Sequence, residues 1–153
     1  MYIGAFINTK GLGELLLLAP SLIKKNPKMR FVFCGFGTYR EHMNQLLHCF
    51  VEGNQTKAEK IAKAGDFITE YQVKDYFFKA DKEVISRITI LGFVEHAILS
   101  KVLPLCTICV VPSRVAEPFG MVTVESMAAG VLPLCNNHTG LADVLNIIEK
   151  SYP

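Results

Sequence analysis

Short, continuously apolar runs alternate along the chain with longer stretches in which apolar residues recur every three or four positions. The first kind marks a strand buried on both faces, the second an amphipathic helix packed against it. Strands are therefore predicted over Tyr2–Phe6, Arg30–Cys34, Arg87–Leu91, Thr107–Val111 and Val131–Cys135. Helices are predicted over Gly11–Lys25, about Thr38–Phe50, His96–Leu103, Gly120–Ala129 and Leu141–Lys150. Asn26-Pro27 ends the first of these, because a proline pushes the residue before it out of the helical region. Thr38, with Glu41 three residues later, reads as a capping box that opens the second. Glu52–Glu83 is polar and has no strand-like run. Two helices, about Gln55–Lys63 and Phe67–Ala80, are predicted there as an insertion at 52–83 carried on the surface.

Strands that alternate with helices and are apolar throughout predict a parallel sheet covered on both sides. Right-handed crossovers then give an α/β, Rossmann-like doubly wound arrangement. Ligands of such sheets sit beyond the carboxyl ends of the strands, which directs attention to loops 7–11, 35–38, 92–95, 112–120 and 136–140. At 153 residues, half of them hydrophobic and a fifth charged, the chain has enough apolar side chains for a core of its own. The longest apolar run is too short to span a bilayer, and the first ten residues do not resemble a signal peptide. A net charge of +2 leaves no basic stripe for nucleic acid.

Cys34, Cys49, Cys106, Cys109 and Cys135 make an odd set, three of them within strand-like runs, where a thiol behaves as a small hydrophobe. Cys106-Thr-Ile-Cys109 has the spacing of a redox or zinc pair. No second Cys/His pair accompanies it, and a strand would turn its two ends to opposite faces. No metal is expected, and free thiols fit a reducing cytoplasm.

The chemistry concentrates in Val111–Gly130. Glu117 lies in the loop after the fourth strand, and Glu125 lies eight residues further on, inside the helix that opens near Gly120. The amides of Gly120, Met121 and Val122 stand at a helix start, where orphan N–H groups and the helix dipole suit a diphosphate. Carboxylates on either side can each accept from two vicinal hydroxyls, as on a sugar and a ribose. On spacing alone, two glutamates near a helix start are most often a cap and a solvated face.

In full, the run reads Pro112-Ser113, then Glu117-Pro-Phe-Gly-Met-Val-Thr-Val-Glu125, then Ala129-Gly130-Val-Leu-Pro133 and His138-Thr-Gly-Leu-Ala-Asp143. With Tyr2-Ile-Gly4, Lys10-Gly11 and Gly35-Phe-Gly37 ahead of it, the chain resembles the nucleotide-sugar-binding half of the GT-B glycosyltransferases. The likeness is to their large retaining group that includes mannosyl-, glucosyl- and sucrose-phosphate-type transferases, and it covers nearly the whole chain outside 52–83. It implies that Glu117 binds donor-sugar hydroxyls, that Glu125 binds the ribose hydroxyls, and that Lys10 neutralises the diphosphate leaving group. Phe119, Gly120 and Met121 would offer backbone donors, Val94 a contact to the base, and His138 a hydrogen bond to donor or phosphate. The implied substrate is a nucleoside-diphosphate hexose, with no cofactor or metal.

The chain departs from that pattern where a cation is usual five residues before the lysine: Ala5 stands there. Losing one such donor at a leaving group costs about 2–4 kcal/mol of transition-state stabilisation. The resemblance also implies two Rossmann-like domains, of which 1–153 corresponds to the second, without the acceptor-binding first domain and the final strand and crossing helix. A fragment, a subunit of a split enzyme and a relic are all consistent with that, and the expectation is donor binding without turnover. A GT-B epimerase and a non-catalytic nucleotide-sugar-binding or partner-binding module remain as rival readings.

Of the remaining candidates, His42, His48 and His96 are expected on helices as surface or capping residues. Gly35-Phe-Gly37 reads as a tight turn or a phosphate cradle. Ser113 with His138 and Asp143 lacks the G-x-S-x-G elbow of a hydrolase. Arg114 reads as a surface arginine, with an acceptor or phosphate contact as its alternative. The cluster Lys24, Lys25, Lys28 and Arg30 reads as solvated charge, with peripheral contact to an anionic membrane as its alternative.

Overall fold

The structure, a computed structural model, describes residues 1–66, 68–137 and 139–151. Five parallel strands, β1 (Tyr2–Ile3), β2 (Phe31–Cys34), β3 (Ile88–Gly92), β4 (Ile108–Val111) and β5 (Leu132–Cys135), lie in the order β3-β2-β1-β4-β5. This is the expected Rossmann-like α/β sheet. The strand order reverses between β1 and β4, which makes that pair the topological switch point.

The helices between the strands are α1 (Leu12–Lys25) after β1 and α2 (Arg40–Glu52) after β2. Then come α3 (Gln55–Gly65), α4 (Glu70–Tyr76) and α5 (Lys82–Ser86) ahead of β3. The last three are α6 (His96–Val102), α7 (Met121–Ala128) and α8 (Thr139–Ser151). All five predicted strands form, but β1 is shorter than Tyr2–Phe6. Beyond Ile3 the chain continues alongside β2 by single bonds, Gly4 N–H to Cys34 O at 3.0 Å and Phe6 N–H to Phe36 O at 2.8 Å. Gly35 and Gly37 allow that approach, since a Cβ on Gly35 would stand 1.8 Å from the Gly4 carbonyl oxygen. The Gly35-Phe-Gly37 turn thus serves backbone packing.

The largest core cluster joins Phe6, Leu12, Leu16, Phe33, Leu46 and Phe50 with Ala58, Ile61, Ala62, Ile68, Val73 and Ala80. The last six belong to the segment expected on the surface. That expectation is corrected: 52–83 is helical, and it forms one wall of the core. Phe50 stacks on Phe77 with ring centroids 4.8 Å apart and meets Phe78 edge-on at 5.8 Å. Ala58, Ile61, Ala62 and Gly65, about one helical turn apart, carry the burial, and Glu59, Lys60 and Lys63 between them dilute it in the sequence.

Two boundaries also differ. Thr38 does not cap α2: that helix starts at Arg40 behind Tyr39, with no side-chain cap, and the Tyr39 amide donates to Phe6 O at 3.2 Å. Glu41 instead accepts from Gln45 at 3.1 Å, one turn on. The true capping box is at α4, where Thr69 and Gln72 bond reciprocally, and Phe77 leaves the helix in an extended conformation. The predicted helix of 67–80 is therefore cut to seven residues. A smaller cluster of Leu103, Cys109, Val111, Val131 and Leu141 fills the side of β4 and β5.

Ile68→Ala is expected to lower unfolding free energy by about 2–5 kcal/mol, as for a buried aliphatic in a packed core. Chemical denaturation checks this; a loss below about 1 kcal/mol would mean that the segment is a surface appendage after all.

Candidate functional site

At the switch point the chain leaves β1, passes through a 3-10 turn at Asn8–Lys10 and enters α1 through Gly11. It leaves β4 through Pro112 and runs to α7 through Gly120. The two exits touch. A Cβ on Gly11, which is left-handed at φ +63, would lie 2.0 Å from the Pro112 carbonyl oxygen, so only glycine fits. The Arg114 amide donates to Thr9 O at 2.7 Å, and the buried Ser113 hydroxyl lies 3.4 Å from the same oxygen and 3.3 Å from Val115 O. Ser113 therefore holds the loop, a role that needs no triad. Asn136 Nδ2 donates to Ser113 O at 2.7 Å, and the Gly140 amide donates to Glu117 O at 3.0 Å, pinning the loop from the β5 side.

Between these exits lies a cavity of about 400 Å³, lined among others by Gly4, Ala5, Lys10, Glu117, Phe119 and Met121. Lys10 Nζ donates to Glu117 Oε1 on its wall, joining residues 107 apart in the chain. Water is partly excluded from both, with side-chain exposures of 31% for Lys10 and 14% for Glu117. Gly120 caps α7 in the left-handed region at φ +69. The amides of Met121 and Val122 therefore open the helix beside the cavity, with no preceding turn to take them. Phe119 and Met121 are exposed large apolar side chains at its rim. Tyr2 forms the floor, donating to Ala5 O at 2.8 Å. Burial, and secondarily the charge of Glu117, push its phenol far above the ordinary tyrosine value.

Lys10, Glu117, Phe119, Gly120 and Met121 are thus brought together as expected. Glu125 is not with them: it projects from α7 into a second hollow of about 370 Å³, shared with His96, Leu99, Ser100, Leu103 and Ala128. Val94, in the loop between β3 and α6, lines neither space. His138 lies outside the described residues. Ala5 is in the cavity wall, so the departure from the cation pattern sits at the site itself.

Three residues to which the sequence assigned no role bear on the site: Tyr2 in the cavity wall, and Glu14 and Gln72 beside the loop at Arg114. Arg114 meets Glu14 Oε1 at 2.5 Å, and Gln72 donates to the same oxygen at 3.4 Å. Only the Thr69-x-x-Gln72 spacing, a cap signal, was readable in advance. The five cysteines are free thiols, and burial raises the pKa of Cys34, Cys49, Cys109 and Cys135. Among the described residues no three His, Cys, Asp or Glu side chains are grouped to hold a metal, and no helix is long and apolar enough to cross a membrane.

Over residues 1–149 the chain matches the family described as Glycosyl transferases group 1. The chain belongs to that family. It is 29% identical over 140 residues to an uncharacterized glycosyltransferase of Bacillus subtilis, covering 92% of this chain and 30% of the relative. It is 28% identical over 123 residues to an uncharacterized glycosyltransferase of Methanocaldococcus jannaschii, covering 80% of this chain and 30% of the relative. This glycosyltransferase-family chain therefore spans about 30% of the length of the curated relatives that it matches.

Gly130, like Gly11, is left-handed, at φ +72, but a Cβ there would meet nothing within 4 Å. Gly130→Ala is expected to cost only the about 1–2 kcal/mol of a left-handed alanine. Gly11→Ala should cost more, because the Pro112 carbonyl must move as well. Denaturation midpoints compare them, and equal losses would contradict the close approach of the two loops.

Proposed function

We propose that this chain is the donor-binding domain of a retaining glycosyltransferase that moves a hexose from a nucleoside-diphosphate sugar to an acceptor. The observation that carries the reading is the Lys10–Glu117 pair, set in the wall of a cavity at the switch point beside the start of α7. In the free protein each charge neutralises the other. A bound donor gives them separate tasks. The diphosphate takes Lys10 and the opening amides of α7, while the sugar hydroxyls donate to Glu117. As the glycosidic bond breaks, negative charge grows on the departing diphosphate, and Lys10 with the helix amides meets it there without calling on a metal ion. Phe119 and Met121 shield that region from water at the rim. In this reading Glu125, in the neighbouring hollow, takes the ribose hydroxyls, and Val94 and His138 are outer contacts to base and phosphate.

The acceptor is held by a separate, N-terminal Rossmann-like domain in the same or a neighbouring chain. The 153-residue chain by itself binds donor and does not transfer sugar. The work is cytoplasmic, and the acceptor side or the basic α1 end is where contact with a membrane surface would occur.

A second reading rests on Ala5. A methyl group stands in the cavity wall where the resemblance implies a cation, and the loss of about 2–4 kcal/mol at the leaving group favours a module that binds a nucleotide sugar without turning it over.

Lys10→Ala and Glu117→Ala are each expected to weaken nucleotide-sugar binding at least about 30-fold, as loss of a charge-assisted contact would, with circular dichroism unchanged. Calorimetric titration measures this. If both variants bind as the unaltered chain does, the assignment of the site is wrong.

A further inference from the structure

The helical segment 52–83 reaches the cavity loops through side chains that the donor-binding reading does not use. Asp66, at the end of α3, accepts from Asn8 Nδ2 at 3.5 Å, on the turn that ends in Lys10. Gln72, fixed on α4 by its capping box with Thr69, donates to Glu14 Oε1 at 3.4 Å. That oxygen also receives Arg114, three residues before Glu117. The second oxygen of Glu14, Oε2, is buried with no hydrogen-bond partner, so Arg114 is the charge that stabilises this carboxylate. The Arg114 backbone is anchored to Thr9 O while its side chain runs back to α1. Glu14 itself does not line the cavity.

We propose that Glu14 and Arg114 are positioning residues: their ion pair, braced by Gln72, sets the loop that carries Glu117 against Lys10 and couples the 52–83 segment to donor affinity. The pair and the Arg114–Thr9 bond fix the loop at its start, and the Gly140 amide on Glu117 O fixes it further on. Releasing the first anchor lets the stretch between swing, so the carboxylate of Glu117 leaves the place where a sugar would meet it. Breaking the pair from the Arg114 side leaves a half-buried carboxylate without its cation, which loads the cost onto this same loop. The inference rests on the reading of Glu117 as a donor contact, but its structural half stands without a ligand.

The test uses the full 153-residue chain with Glu14→Gln, Arg114→Gln, the double variant Glu14→Gln/Arg114→Gln, and the exchanged pair Glu14→Arg/Arg114→Glu. Binding of UDP-, ADP- and GDP-glucose is measured beside amide hydrogen exchange at Gly140. Each single variant is expected to bind the preferred donor roughly 5–20-fold more weakly, since directly interacting pairs couple at that level. The double variant should bind no more weakly than the worse single, the exchanged pair should recover part of the loss, and Gly140 exchange should speed up in the singles. Glu14→Gln binding donor normally while Arg114→Gln does not would overturn the proposal and make Arg114 a direct ligand contact. Additive losses in the double variant would overturn it too. If the unaltered chain binds none of the three donors, the donor reading fails and exchange alone decides: a faster Gly140 amide in Glu14→Gln supports the coupling, and an unchanged one overturns it.

Discussion

The approach of the β1 and β4 exits is the constraint on which the rest of the structure hangs. In a sheet ordered β3-β2-β1-β4-β5, strands far apart in sequence become neighbours at one place, and their outgoing loops must share the space beyond their carboxyl ends. Gly11 makes that sharing feasible by yielding its Cβ volume to the Pro112 carbonyl. Arg114 and Ser113 then tie to Thr9, and Lys10 meets Glu117 as a consequence. An isolated lysine–glutamate pair on a surface contributes little to stability. Here the backbone has already brought the two side chains together, so less conformational entropy is lost in forming the pair, and its value lies in preorganisation for a ligand that carries both a negative group and hydroxyls.

The segment 52–83 changes how that site is supported. A parallel sheet needs cover on both faces, and α3, α4 and the link between them supply part of it by adding Ile61, Ile68 and Val73 to the cluster around Phe33 and Phe50. Being built into the core, these helices are held firmly enough to present Asp66 and Gln72 to the loop side. A loosely attached appendage would lose rotamer and backbone entropy in making the same contacts.

Much of this was legible in the sequence because the responsible signals are local. Runs such as Phe31-Val-Phe-Cys34 are apolar at every position, which only a doubly covered strand tolerates, and the strand–helix alternation then leaves few topologies. Glu117, Gly120 and Met121 could be placed because the end of a strand, a glycine and an amphipathic run follow one another directly. What escaped depends on partners distant in sequence. Nothing near Glu14 indicates that its oxygen meets Arg114, and nothing near Ile68 indicates that it is buried. Thr38 has the residues of a cap, but a tertiary bond from the Tyr39 amide to Phe6 takes the place of local capping. Eight residues after Glu117, Glu125 lies about one turn into α7 and faces the α6 side, so closeness within the motif does not mean a shared cavity.

Saturation-transfer NMR on the unaltered chain, with UDP-, ADP- and GDP-sugars beside the bare nucleotides, tests the donor site most directly. The account predicts transfer to both the ribose and the sugar protons for one nucleotide, with the sugar signal lost when Glu117 is replaced. No transfer from any of them at millimolar ligand would contradict it, and would leave the Lys10–Glu117 pair as a structural tie between two loops.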